Sequence, residues 1–194
     1  IGLDYSPSRI DYARRHYGSR EGIDFILGDL RDPLGEMGDF DLIWVRFVLE
    51  HYLEGAIGIV ENLSRSLKPD GYLCLLDLDY NCLSHYPMTP EMEQIIHRLI
   101  EKMTKEFNHD PYVGRKLYTY LYDCAFRNIE VNMIPHHLIY GDLEFSDEFN
   151  WLKKLQAAVR KAMDVFEDYP GGYDAFSRDF NLFFHDPRRV TYTP

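Results

Sequence analysis

Two aspartates, each closing an apolar run, are the residues of this sequence best placed to do chemistry. Asp4 ends Ile1-Gly2-Leu3 and is followed at once by Tyr5-Ser6-Pro7, and Asp29 ends Phe25-Ile26-Leu27-Gly28 a further 25 residues on. A carboxylate only accepts hydrogen bonds, and its two oxygens match the vicinal diol of a ribose. Asp4 read alone has a second account, as a cap on the helix that Ser6-Pro7 begins. Asp29 favours the first account. The spacing between the acids is that of one strand-helix-strand step, which lays both side by side at the carboxyl edge of parallel strands, where open α/β sheets hold ligands. One carboxylate can then hold ribose while the other accepts an adenine amino group. Tyr5 either offers its ring to the base or packs at the helix start.

The elements that must position these acids follow from period and punctuation. Ser6 caps a helix with Pro7 first and Ile10, Ala13 and Tyr17 at helical spacing, which Gly18 stops. Residues 23–27 read as a strand, and the loop 31–39 leads to another at 40–45. Leu53, Ile57, Val60, Leu63 and Leu67 mark a helix ending before Lys68-Pro69-Asp70-Gly71, and 72–78 is the next strand. Strands apolar on both faces suit a buried parallel sheet, and the alternation with helices predicts right-handed α/β crossovers. After Asp79 come a Pro-punctuated loop, a helix through Met92, Leu99 and Phe107, a helix at 113–124 and a strand at 129–134. The remainder is helical and aromatic, broken by Gly171-Gly172, with Val190-Thr191-Tyr192 opening a last strand. The expectation is a single domain over 1–194, with a cofactor half at 1–79 and an acceptor and lid region at 80–194.

Composition narrows the partners. A chain of 194 residues, 45% hydrophobic and 27% charged, is ordinary for a soluble globular domain. With 21 basic against 32 acidic residues the net charge is −11, which repels a polyanion and argues against nucleic acid. Arg14-Arg15 and Arg188-Arg189 are too small to reverse this and are expected on solvated helix ends or loops. Cys74, Cys82 and Cys124 are odd in number with no C-x-x-C spacing, which points to a reducing cytoplasm and away from disulfides or zinc; no metal is expected. Apolar runs such as 42–45 fall far short of the roughly 20 residues of a membrane span. No membrane partner or secretory leader is read, and there is no internal repeat.

Five short patterns in order carry a family likeness: Gly2-Leu3-Asp4-x-Ser6, Phe25-x-x-Gly28-Asp29, Phe40-Asp41-Leu42-Ile43, Leu49-Glu50-His51 and Leu67-Lys68-Pro69-x-Gly71. Together they resemble the class I S-adenosylmethionine-dependent methyltransferases, of the small-molecule kind that includes ubiquinone and menaquinone C-methyltransferases, over roughly the first 80 residues. The resemblance implies an α/β fold: a Rossmann-like, doubly wound, mostly parallel sheet with helical lid insertions. It implies S-adenosylmethionine as cofactor, with Asp4 on ribose, Asp29 and the Leu30 backbone on adenine, and Arg46 with Phe47 lining the methionine end. Two departures stand out. Asp70 precedes Gly71 where the family usually has a second glycine, and the family's Gly-rich first motif and its strand are absent from this sequence. Weak cofactor binding and exposed sheet edges are the expected consequences.

Methyl transfer is an in-line displacement from a sulfonium, so alignment and exclusion of water matter most, and a base is needed only when the acceptor must lose a proton. No catalytic residue is therefore assigned. Candidates near the acceptor are Tyr80, Asn81, His85 and Tyr86, which follow the strand ending at Asp79, and His136-His137 with Tyr140 further on. Paired histidines without nearby acids read as surface before metal. His51 caps or packs in preference to acting as a base. Asp110-Pro111-Tyr112-Val113-Gly114-Arg115 also resembles a stretch of these methyltransferases, and Arg115 either meets an acidic acceptor or caps a helix. The aromatic helices at 151–184 form a lid, a core or a dimer face. Expected partners are a small-molecule acceptor and a second copy, met through a sheet edge or those helices. The alternatives are a methyltransferase-like domain that binds without methylating, and a nicotinamide-dependent oxidoreductase, against which Gly28-Asp29 and the Lys68 to Gly71 turn weigh.

Overall fold

The structure, a computed structural model, describes residues 1–80 and 84–194. Their contacts fall into two compact units: Ile1–Val45, Gly55–Leu75 and Tyr120–Phe126 form one, and Arg46–Glu54, Leu76–Thr119 and Arg127–Pro194 the other. The first unit takes in 120–126 from the later part of the chain, and the second takes in 46–54 from the earlier part.

In the first unit β1 (Gly2–Asp4) and β2 (Phe25–Leu27) pair in parallel with Gly2 opposite Phe25 and Asp4 opposite Leu27. The helix between them, α1 (Pro7–Tyr17), starts on Pro7 and ends where the Gly18 N–H donates to the Arg14 carbonyl at 2.9 Å. A Cβ at residue 18 would lie 2.5 Å from that oxygen, so only glycine closes this helix. β3 (Phe40–Arg46) and β4 (Leu67–Leu76) pair with each other, the Phe40 N–H meeting the Ser66 carbonyl at 2.8 Å. Between them α2 (Ala56–Ser64) buries Ala56, Ile59, Val60 and Leu63, as its helical spacing predicts. The strands themselves are less enclosed than their composition suggests. Leu42 and Trp44 are 57% and 59% exposed and Tyr72 75%, so this ladder is covered on one face and open on the other.

The second unit holds an antiparallel sheet in the order β5 (Ser84–Tyr86), β7 (Val190–Thr193), β6 (His137–Tyr140). Around it lie α3 (Pro90–Phe107), α5 (Phe145–Ala162) and α6 (Gly172–Phe184), while α4 (Leu117–Asp123) straddles the two units. α3 starts where Thr89 accepts the Met92 N–H on its hydroxyl at 3.3 Å, with Pro90 first in the helix. The core of this unit is aromatic: Trp151, Phe166, Phe176, Phe180 and Phe184 pack with ring centroids 5.0–6.4 Å apart. The aromatic helices of the sequence are thus core in this unit, at least on their inward faces.

Three expectations need correction. The α/β class holds, but the described strands form two two-stranded ladders and one antiparallel sheet of three, instead of one mostly parallel sheet. Alternation of strands and helices says which segments are extended, and it leaves open which edges exchange hydrogen bonds. The strand expected at 129–134 makes no ladder, with Val131, Met133 and Ile134 all at least 70% exposed. Pro135 lacks the N–H that would carry the ladder through, and pairing begins only after it, with the His136 N–H donating to the Thr193 carbonyl at 2.7 Å. Finally, of the arginine pair expected in solvent, Arg188 is exposed and held by Asp186, whereas Arg189 is fully buried.

Candidate functional site

Asp4 ends β1 opposite Leu27, Asp29 follows the end of β2 by two residues, and the Gly28 N–H donates to the Asp4 carbonyl at 3.1 Å, so the two acids leave the same edge of the ladder. The helix-start reading of Asp4 is also realised: Oδ1 accepts the Ser6 N–H at 2.8 Å, while Oδ2 stands 3.5 Å from the exposed Arg9. The carboxylate does both jobs only if a ligand hydroxyl replaces the long Arg9 contact. Asp29 is more tightly held. Arg31 grips both its oxygens, the shortest contact being 2.6 Å, and donates its backbone N–H as well, which keeps this carboxyl below the usual range. The Leu30 carbonyl accepts from Asn62 at 2.8 Å, and Tyr5 is 65% exposed, its ring open to a base.

In the second unit a half-buried acid sets the segment after β3. The Asp77 Oδ2 accepts the N–H groups of Val48, Leu49 and Glu50 at 3.2, 2.9 and 3.3 Å, and its Oδ1 accepts that of Leu78 at 2.9 Å. Despite these donors, burial pushes this carboxyl up to about 6, helped by the Glu50 charge. Leu49-Glu50-His51 is thereby a pinned turn, and His51 faces His109 at 6.3 Å. Ahead of the turn Phe47 sits at φ 55°, a left-handed conformation unusual for a bulky residue, with the Arg46 guanidinium 4.5 Å from its ring centre.

From Phe47 a line of rings crosses the antiparallel sheet. Phe47 meets His136 at 4.8 Å, His136 meets His137 at 4.1 Å, His137 stands 6.1 Å from Trp151, and Trp151 lies 5.2 Å from His85. His85 is enclosed further by Phe180 and Phe183, and its Nδ1 shares a 3.0 Å hydrogen bond with the Thr191 hydroxyl. Burial first, then the Lys154 charge, lowers both His136 and His137, the latter to about 4, so both rings are neutral at pH 7. A base that weak abstracts protons poorly, which suits His137 to holding a ligand better than to acid-base work. Three polar atoms in this neighbourhood are buried without a hydrogen-bond partner: His137 Nδ1, Trp151 Nε1 and Thr193 Oγ1. His137 and Thr193 face each other across the β6–β7 ladder. Buried donors and acceptors are nearly always paired, so orphans gathered at one place mark where a ligand or water belongs.

The structure thus brings His85 and His136 into one neighbourhood with Arg46 and Phe47. Tyr80 is elsewhere in this unit: it stacks on Tyr112 at 5.4 Å and lines an open cleft of about 580 Å³ with Ser84, Met133 and Tyr192. Arg115 forms a bidentate pair with Asp79 at 2.6–3.1 Å. Tyr86 and Tyr140 are exposed, and Asn81 and Cys82 lie outside the described residues. Trp151, Thr191, Thr193 and Asp77 were not picked out from sequence as site residues. The signal for the threonines was their alternation in Val190-Thr191-Tyr192-Thr193, which buries both on one face of β7. Among the described residues no cluster of three or more His, Cys, Asp or Glu side chains could hold a metal ion, and no helix is long and apolar enough to cross a membrane.

Residues 1–75 match the family model described as a methyltransferase domain, which bears out the resemblance carried by the five motifs. The match covers 75 of the 194 residues. Among individual proteins, an uncharacterised 37.1 kDa protein in transposon Tn4556 of Streptomyces fradiae is 24% identical over 155 residues, covering 79% of this chain and 43% of that protein. The chain therefore spans less than half the length of this relative. A solved structure from Bacillus halodurans C-125, provisionally assigned as a methyltransferase, aligns over 98% of this chain and 80% of its own with a TM-score of 0.53 at 15% identity, a shared α/β fold. A provisionally assigned sarcosine dimethylglycine methyltransferase from Galdieria sulphuraria aligns over 98% and 66% with a TM-score of 0.45 at 14% identity.

Proposed function

We propose that the protein containing this chain is an S-adenosylmethionine-dependent methyltransferase acting on a small-molecule acceptor. The observation that carries the reading is the placing of Asp4 and Asp29 side by side at the carboxyl ends of parallel strands, inside the segment that matches a methyltransferase domain. This donor set fits the cofactor's nucleoside: two acceptor-only groups suit a ribose diol and an adenine amine, and the exposed ring of Tyr5 suits the base face. By the resemblance the Leu30 backbone joins them on the adenine. When bound, S-adenosylmethionine supplies an electrophilic methyl group.

The chain's own residues then have three tasks. Asp77 holds the turn after Phe47 through three N–H groups, which fixes the Phe47 ring against His136. Trp151, Phe180 and Phe183 exclude water around His85, whose Nδ1 is engaged by Thr191. His85 and His136 are the groups positioned to accept a proton should the acceptor release one. One feature favours the reading of a domain that binds without methylating: Arg31 occupies both oxygens of Asp29, and a nucleoside must displace it.

Calorimetric titration with S-adenosylhomocysteine, carried into the millimolar range, tests the assignment. Asp4→Ala and Asp29→Ala should each weaken binding about tenfold or more, equivalent to about 1.4 kcal/mol or more. Arg31→Ala should strengthen it by releasing Asp29. Equal affinity in all variants would overturn the roles of both acids, and binding without methylation of any acceptor in a metabolite panel would select the non-catalytic reading.

A further inference from the structure

The second unit encloses a cavity of about 280 Å³ between α3, α5 and α6 whose lining is apolar in its body and cationic along one wall. Ile95, Leu99, Leu155, Phe176 and Phe180 make the body, and His85 and Trp151 close one end of it. In a chain carrying 32 acidic residues and a net charge of −11, no Asp or Glu lines it among the described residues. Its charged lining groups are Lys154 and Lys161, both on α5 and two turns apart, a separation of about 10 Å along the helix at 1.5 Å per residue.

The two ends differ in what surrounds them. At one, Lys154 lies 5.0 Å over the Trp151 ring, and its charge reaches His136 and His137, the rings that lead to Phe47. At the other, Lys161 stands at the cavity mouth 5.0 Å from the Phe107 ring, and its charge reaches His109, which also lines the cavity. An ammonium group at an exposed mouth, next to an imidazole and an apolar wall, recognises the head of an amphiphilic anion. The opposite end, at His85, is where the body of such a molecule meets the line of rings.

We propose that this cavity binds an elongated apolar carboxylic acid, its carboxylate at Lys161 and its far end against His85 and Trp151. This proposal rests on the methyltransferase reading for its consequence, that the acceptor is an apolar organic acid modified at the end remote from its carboxylate. Binding itself is separable from that reading, because it needs no methyl donor.

The chain has two tryptophans, and Trp44 is 59% exposed on β3, so Trp44→Phe leaves Trp151 as the only reporter. In that background 4-phenylbutyrate should change Trp151 emission saturably and bind about tenfold more tightly than 4-phenylbutyramide, which has the same shape without the charge. Lys161→Gln, at an exposed position, should abolish that difference while leaving amide affinity unchanged. Equal affinity for acid and amide, a difference that survives Lys161→Gln, or no Trp151 response to either probe would each overturn the proposal. Failure here with intact S-adenosylhomocysteine binding would remove the acceptor class alone, and the reverse outcome would remove the methyl-donor assignment alone.

Discussion

Replacing Asp77 by asparagine should make the stability of the second unit rise with pH between about 4 and 6.5, where the parent protein stays nearly level. The Asp77 carboxyl is raised from 3.8 to about 6 in the fold. Between those values the folded state holds a proton that the unfolded state has released, so this group makes stability fall as pH rises. His137 acts in the opposite sense. Its ring is lowered from 6.5 to about 4, so over nearly the same interval the unfolded state binds the extra proton and stability rises with pH. The two slopes offset each other in the parent protein. Asp77→Asn keeps an oxygen for the N–H groups of residues 48–50 and removes the falling component, worth about 3 kcal/mol at most. His137→Gln should remove the largest of the rising components, so that the profile falls more steeply with pH than that of the parent. Urea unfolding at half-unit pH steps reads both slopes, and superimposable profiles for parent and Asp77→Asn would refute the burial argument. Asp77→Ala should be more damaging than Asp77→Asn at every pH in this range, since the N–H groups of Val48, Leu49, Glu50 and Leu78 all lose their acceptor.

Arg189 should rank its replacements in an order that a surface arginine would never give. The side chain is fully buried, its Nε donates to the Phe184 carbonyl and its Nη2 to the Gly141 carbonyl, both at 2.9 Å, and its plane lies 5.1 Å over the Phe184 ring. It joins the end of α6 to the turn after β6 from a position at the head of β7. Alanine removes both donors and leaves a void, for an expected loss of about 4 kcal/mol. Methionine also loses the donors, but it fills the volume and removes a buried charge whose Nη1 has no partner, so it should cost about half as much. Lysine keeps the charge and cannot span both carbonyls from one nitrogen, so it should be at least as damaging as alanine. Guanidinium melts of the three variants check the order, and a well-tolerated lysine would show that charge, and not the fork of donors, is what the site requires.

Local chemistry made much of this legible beforehand. Ser6-Pro7 and Gly18 mark the ends of α1 because the φ of Pro7 and the missing side chain of Gly18 are properties of single residues, and the helix begins and ends at or beside them. The strand expected at 129–134 failed for an equally local reason that outweighed apolar content, the missing N–H of Pro135. Arg188 and Arg189 are chemically identical in sequence, and only the return of Gly141 and Phe184 to one place makes the second of them a buried tie.

Sequence by itself determined that Asp4 and Asp29 leave β1 and β2 at the same edge, since a strand-helix-strand step of fixed length brings the two strand ends together. It also determined the methyltransferase likeness of the first 75 residues, which lives in contiguous motifs. The line of rings from Phe47 to His85, the orphaned atoms of His137, Trp151 and Thr193, and the cationic wall of the cavity were decided by tertiary structure alone. Their members come from segments up to about 150 residues apart in the chain, brought together by the burial of aromatic faces. That burial is non-directional and follows area, so it leaves no spacing in the sequence from which such a neighbourhood could be read.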